Sequence, residues 1–159
     1  MATPTQNDIL AAIVAKVSSA AAGAKVYDRV RYPERGRDSE YAELLTDADG
    51  NINSWFIEWV GYTPRTTEMD DLVEEVYTYR LLGHRGVVDN EDSSQASRTL
   101  FSNDISAIIN ALKADKTLAL GVEVSHSGLR VQGEITAGLL GEHQCHICDA
   151  RLVVVVQQC

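Results

Sequence analysis

An α+β fold, with a mostly antiparallel β-sheet packed against two main α-helices, is what this sequence predicts. Three observations lead there. Two segments carry apolar residues at helical spacing, several shorter ones alternate apolar with polar residues, and the order is helix, about four strands, helix, about three strands. The chain of 159 residues falls in the range of one domain, and 1–159 reads as one unit without repeat, linker or low-complexity tract.

The first helix is expected over Asn7–Ala22, where Ile9, Leu10, Ile13, Val14 and Val17 trace one face, with Asn7 or Asp8 as cap and Gly23 as terminator. Lys25–Tyr32 alternates and is rich in β-branched and aromatic residues, which predicts a strand ended by Pro33; Pro33–Ser39 is a charged loop. Tyr41–Thr46 and Ser54–Gly61 read as strands joined by Asp47–Asn51, whose Asp49-Gly50 is a hairpin signal. Trp55, Ile57 and Trp59 then share one side of the second strand. Tyr62–Asp71 reads as a polar connection, Leu72–Leu82 as a long strand, and Gly83–Ser97 as a long loop. The second helix spans about Ala96–Ala114, through Phe101, Ile105, Ile108, Ile109 and Leu112. Strands follow at Leu118–Ser125, Leu129–Thr136 and Cys145–Gln157. The four valines of the last imply burial on both faces, hence a central position.

The net charge of −9 and pI near 4.8 argue against nucleic acid gripped by a broad basic face; they suit a surface that DNA slides past, and equally an acidic exterior that serves solubility alone. The longest apolar runs are too short to span a bilayer, so no membrane partner is expected. The first six residues lack the basic start and apolar stretch of a signal peptide, so a cytoplasmic site of synthesis is expected.

The chemistry-bearing patterns are sparse. Asp47-x-Asp49-x-Asn51 with Glu58 imitates a calcium loop, but Ile52 occupies the position that needs glycine, and a hairpin turn explains the same residues. Cys145-x-x-Cys148 with His143, His146 or Cys159 is the most metal-like segment. A strand would point its two thiols to opposite faces, so buried structural cysteines are the better reading, and no metal or other cofactor is expected. There is no Gly-x-Ser-x-Gly elbow and no phosphate-cradling glycine loop, and an enzyme is not expected. Arg29, Arg31, Arg35 and Arg37 form the one basic cluster, read either as a subunit contact or as a solvated loop.

The order of elements resembles the tail terminator proteins of long-tailed bacteriophages. The resemblance rests on the helix Asn7–Ala22 leading into Lys25-Val26-Tyr27-Asp28-Arg29-Val30. The aromatic strands Ser54–Gly61 and Leu72–Leu82, the helix ending near Ala114, and the pairing of Leu129–Thr136 with Ala150–Gln157 complete it. It implies a homo-oligomeric ring, typically hexameric, that caps the tail tube, meets the head connector or neck protein, and passes DNA through its lumen without sequence-specific binding. The implied location is the virion, after assembly in the host cytoplasm. Asp89, Glu91 and Asp92 would then sit near the lumen or the tube-facing side. The chain departs from compact members of that family in its longer polar segments Tyr62–Asp71 and Gly83–Ser97. Alternative readings are another neck component, such as a head-closure or connector protein, or a small metal-binding or hydrolytic domain using His143, Cys145 and Cys148.

Overall fold

Two amphipathic helices lie on one face of a mostly antiparallel seven-stranded sheet, so the fold is α+β. The computed structural model describes residues 2–32, 34–66, 73–89, 91–92 and 96–158; the parts of the foregoing readings that touch Met1, Pro33, 67–72, Asn90, 93–95 and Cys159 lie outside the described residues. The elements are α1 (Gln6–Ala20), β1 (Lys25–Tyr27), α2 (Asp38–Leu45), β2 (Asn53–Thr66), β3 (Val73–Gly86), α3 (Ser97–Ala114), β4 (Val124–His126), β5 (Arg130–Val131), β6 (Thr136–Leu140) and β7 (His143–Gln158). The strand order is β1-β2-β3-β7-β4, with β5 and β6 also pairing to β7. Among the described residues only the β1–β2 pair is parallel.

Helix α1 begins at Gln6, just before the expected start. Thr5, rather than Asn7 or Asp8, is the cap: its hydroxyl oxygen accepts from the Asp8 N–H at 3.3 Å, and the Asp8 carboxylate accepts from the Thr5 N–H at 2.7 Å. Ile9, Ile13 and Val17 face the sheet and are fully buried. From α3, Phe101, Ile105, Ile108 and Leu112 do the same, and both helices pack on Trp55, Ile57, Tyr77, Tyr79, Leu81, Leu152, Val154 and Val156. The Tyr79 hydroxyl donates to the Gln6 carbonyl at 2.9 Å, tying the middle of β3 to the start of α1.

Several expectations need correction. Tyr41–Thr46 is not a strand; Tyr41 and Leu45, four residues apart, are the buried positions of α2, whose first turn carries Asp38 and Glu40. The strand expected over Lys25–Tyr32 ends at Tyr27, because the chain then turns so that Val30 packs into the small cluster beneath α2. The polar connection expected from Tyr62 begins later, since β2 runs to Thr66, and the expected loop loses Gly83–Gly86 to β3. Leu118 and Ala119 adopt left-handed backbone (φ 53° and 56°) instead of opening a strand. The Asp115 carboxylate holds that turn, accepting from the Thr117 and Ala119 N–H groups at 3.3 and 3.2 Å and pairing with Lys16 at 2.8 Å. Leu129–Thr136 is broken into β5 and the start of β6, with Gly133 at φ 68° between them.

Strand β7 is central, as expected, but the reason differs. Val154 and Val156 are fully buried, whereas Val153 is 36% exposed. The valines therefore alternate, and the second face of the strand is open. Trp59 shares the helix-covered side with Trp55 and Ile57 by register, yet it is 45% exposed.

Close packing singles out Gly83. A Cβ there would fall 2.6–2.8 Å from three carbons of the fully buried Trp55 ring, on the strand directly opposite. Overpacking of this kind costs about 1–3 kcal/mol. Gly83→Ala is expected to destabilise the protein by about that amount, measured by urea denaturation. Combined with Trp55→Phe it should cost less than the sum of the two single changes; strict additivity would show that the contact is not limiting.

Candidate interaction surface

The sheet has a covered and an open face, and residue parity decides which side chains lie on each. On β3 the covered face holds Tyr77, Tyr79 and Leu81, and the other holds Val76, Thr78, Arg80, Leu82 and His84. That second face is itself divided. At the end where β2 begins, α2 packs on it through Tyr41 and Leu45, which meet Phe56 and Cys145 with Tyr27, Val30, Leu82 and Ile147 around them. Beyond α2 no described helix covers it, and Val76, Thr78, Val153 and Val155 are all partly or well exposed.

A charged row crosses this open face where α2 ends. Arg80 grips Asp149 in a two-pronged contact, Nε to Oδ1 at 3.1 Å and Nη2 to Oδ2 at 2.9 Å, and Glu58 approaches its Nη1 at 3.9 Å. The Asp149 hydrogen bond raises the Arg80 pKa above its usual value, with burial opposing. Arg151 lies directly opposite Arg80, and Arg130 directly opposite Arg151. Further along, Arg65 pairs with Glu74 at 2.8 Å.

Strands β2 and β3 stay paired out to Thr66 and Val73. On the Tyr77 side of the sheet, Tyr62 meets Tyr77 in a tilted ring contact with centroids 5.3 Å apart, and both hydroxyls donate to Glu75, at 3.3 and 3.0 Å. Burial first, and then the Glu75 hydrogen bond, push the Tyr77 pKa up to about 12. Trp59, Val60, Tyr62 and Val73 are exposed on this limb. The outer edge of β2 has no strand beside it past Phe56 among the described residues, because β1 pairs only with Ser54–Phe56. A bulge between Trp59 and Gly61, and Pro64 within the strand, blunt that edge against pairing with another strand.

The basic loop lies on the α2 side. Arg29 pairs with Asp28 at 3.6 Å, the Arg31 guanidinium sits 5.1 Å from the centre of the Tyr27 ring, and Arg37 meets Glu34 at 3.1 Å and Glu40 at 3.7 Å. Arg35 is exposed in the turn between them. Asp89, Glu91 and Asp92 are exposed and lead into α3 on the other side of the sheet. Hydrogen bonds anchor this connection at both ends: the Val87 N–H donates to the Gln144 carbonyl at 3.0 Å and the Val88 N–H to Ser97 Oγ at 2.8 Å.

The residues of the calcium-like and zinc-like patterns lie in a tight turn and in two separate buried clusters. Asp47 Oδ1 accepts from the Asp49 and Asn51 N–H groups at 3.0 and 3.1 Å, which makes a tight turn with Gly50 at φ 82°, while Glu58 belongs to the Arg80 row. Cys145 and Cys148 are both buried but in different clusters, one beneath α2 and one beneath α1 and α3. Burial pushes the Cys148 thiol up to about 11. His146 is bonded to Ser97 Oγ at 2.9 Å, and no group of three or more His, Cys, Asp or Glu side chains among the described residues converges as a metal site. No described helix is long and apolar enough to cross a membrane.

Reading the sequence alone missed the Arg80–Asp149 pair and the Arg130–Arg151 opposition. The signal was a charged residue on the polar side of each strand, but only the register of three strands shows that they meet. Neither a protein-family model nor a curated protein matches the chain.

His84 lies beneath α2 opposite Ser54, and both His84 Nδ1 and Ser54 Oγ are buried without a hydrogen-bond partner. Burial first, with the nearby Arg80 charge, lowers the His84 pKa from 6.5 to about 4. Because the folded value lies below the unfolded one, the unfolded chain binds the extra proton first. The stability contribution tied to His84 is therefore full above pH 6.5 and is lost as pH falls towards 4. His84→Leu should flatten this window of the stability–pH curve, leaving a residual slope from His126 and His146, whose values burial also lowers. An unchanged slope would show that His84 does not titrate on unfolding.

Proposed function

We propose that the protein is a non-catalytic assembly subunit of the tail-terminator kind, one that joins copies of itself into a ring closing the end of a phage tail tube. The observation that carries this reading is the half-open sheet. An antiparallel sheet whose central strands carry valines at a solvent-facing surface, next to a hairpin limb bearing exposed Trp59 and Tyr62, has the composition of a protein contact surface. The blunted β2 edge favours contacts between side-chain surfaces, which suits a closed assembly of defined size better than open-ended strand addition. The acidic chain fits the same reading: repeated about an axis, its net charge of −9 would concentrate negative potential in a lumen and let DNA pass without sticking. In such a ring the tail tube protein and a head connector or neck protein are the neighbours, and Asp89, Glu91 and Asp92 are the lumen or tube-side residues to test first.

The purified protein is expected to sediment as a closed oligomer, alone or when mixed with tail tubes, and negative-stain images should show rings at tube ends. A chain that stays monomeric and leaves tube ends bare would overturn the proposal. Six-fold averages would support the hexamer; another order would correct the stoichiometry and leave the role intact.

A further inference from the structure

The row across the open face carries an electrostatic imbalance. Arg80, Arg151 and Arg130 stand side by side on β3, β7 and β5. Like charges directly opposite one another in a sheet are destabilising. Arg80 is compensated by Asp149 and Glu58, whereas neither Arg151 nor Arg130 has an ion-pair partner among the described residues. Both border an apolar stretch of the same face, with Val153 next along β7. Three guanidiniums against two carboxylates thus form a local positive excess in a chain of net charge −9.

We propose that Arg130 and Arg151 seat carboxylates of a second copy of this chain, so that the open face of one subunit takes an acidic surface of the next. This rests on the ring reading above and names its contact. Charge complementarity selects the occupant: another copy offers 23 acidic side chains against 14 basic ones, a net excess of the opposite sign. The same charges set the geometry. Two open faces brought together would oppose their arginine rows, which disfavours a two-fold dimer. A head-to-tail contact satisfies both partners, and repetition of such a contact closes into a ring when the rotation allows. Guanidinium suits the role because its planar fork pairs with carboxylates two bonds at a time.

Sedimentation velocity on the full chain at low and high salt provides the test. Wild-type oligomers should dissociate as salt rises, since the contact is partly ionic. Arg151→Glu should weaken self-association by about tenfold or more, yet raise the melting temperature of the monomer, because it turns a like-charge row into an alternating one. That pairing of effects separates a contact residue from a merely structural one. Val153→Asp, on the same face, should also weaken assembly, and it covers the case in which Arg151→Glu fails to fold. Assembly unchanged in both variants overturns this inference and leaves the ring reading standing. Wild-type protein that is monomeric with and without tail tubes overturns both. Retention of duplex DNA by the wild type, lost in Arg151→Glu, would assign the row to phosphates and overturn the carboxylate contact.

Discussion

The pairing of β3 with β7 is the constraint from which the rest of the structure follows. Strand β3 is 14 residues long and is matched along its whole length, from Val73 opposite Gln158 to Gly86 opposite Cys145. Side chains alternate along both strands, so this one register assigns every residue of the paired stretch to a face. On one side it lines up Tyr77, Tyr79 and Leu81 with Val154, Leu152 and Ala150, a continuous apolar floor for α1 and α3. On the other it brings Arg80 beside Asp149 and opposite Arg151. A slip of one residue would send the arginines beneath the helices and the tyrosines into water. Core and open surface are two consequences of the same hydrogen-bonded ladder.

Packing against that floor explains why α1 and α3 are legible in the sequence. Each depends on a stripe repeated over several turns, and a stripe of that length survives errors at its ends, such as the cap moving from Asn7 to Thr5. Helix α2 has only Tyr41 and Leu45 as buried positions, and two apolar residues cannot distinguish a period of 2 from a period of 3.6. The valine run at 153–156 misleads for a related reason. Consecutive apolar residues usually mark burial on both faces, and nothing in their own identity reveals that Val153 and Val155 face an uncovered side. At the surface, the charged residues are visible one by one, but their grouping is not. Arg80, Asp149, Arg151 and Arg130 come from three strands, and only tertiary register brings them together.

The two sides of the sheet are stabilised unequally, and this bears on which part of the molecule can yield. The helix-covered side buries Trp55, Tyr79, Phe101 and a continuous set of aliphatic residues. The α2 side rests on the smaller cluster of Tyr41, Leu45, Ile52, Phe56 and Cys145. It also leaves Ser54 Oγ and His84 Nδ1 buried without partners, and each such group costs about 1–3 kcal/mol. Regions with fewer buried apolar contacts open at lower free energy than the main core. Helix α2, resting on the smaller cluster, is therefore expected to open at lower free energy than α1 and α3. Side-chain to backbone bonds hold it to the neighbouring segments of the chain, from the Tyr41 hydroxyl to the Arg31 carbonyl at 3.0 Å and from the Tyr27 hydroxyl to the Leu44 carbonyl.

That inequality gives the charged row its position. It lies where α2 stops covering the sheet, between the weaker cluster and the exposed valines. An uncompensated guanidinium placed under α2 would have to lose its water within a cluster that already holds two unsatisfied polar atoms. Among the exposed valines it keeps its water in the free subunit. Under the contact proposed above, the apolar surround would exclude solvent and strengthen an ion pair formed there. The electrostatic cost of setting Arg151 between Arg80 and Arg130 is thus smallest where water screens it, as on this open face, and the same pairings would stabilise most under the proposed contact, where the face is covered.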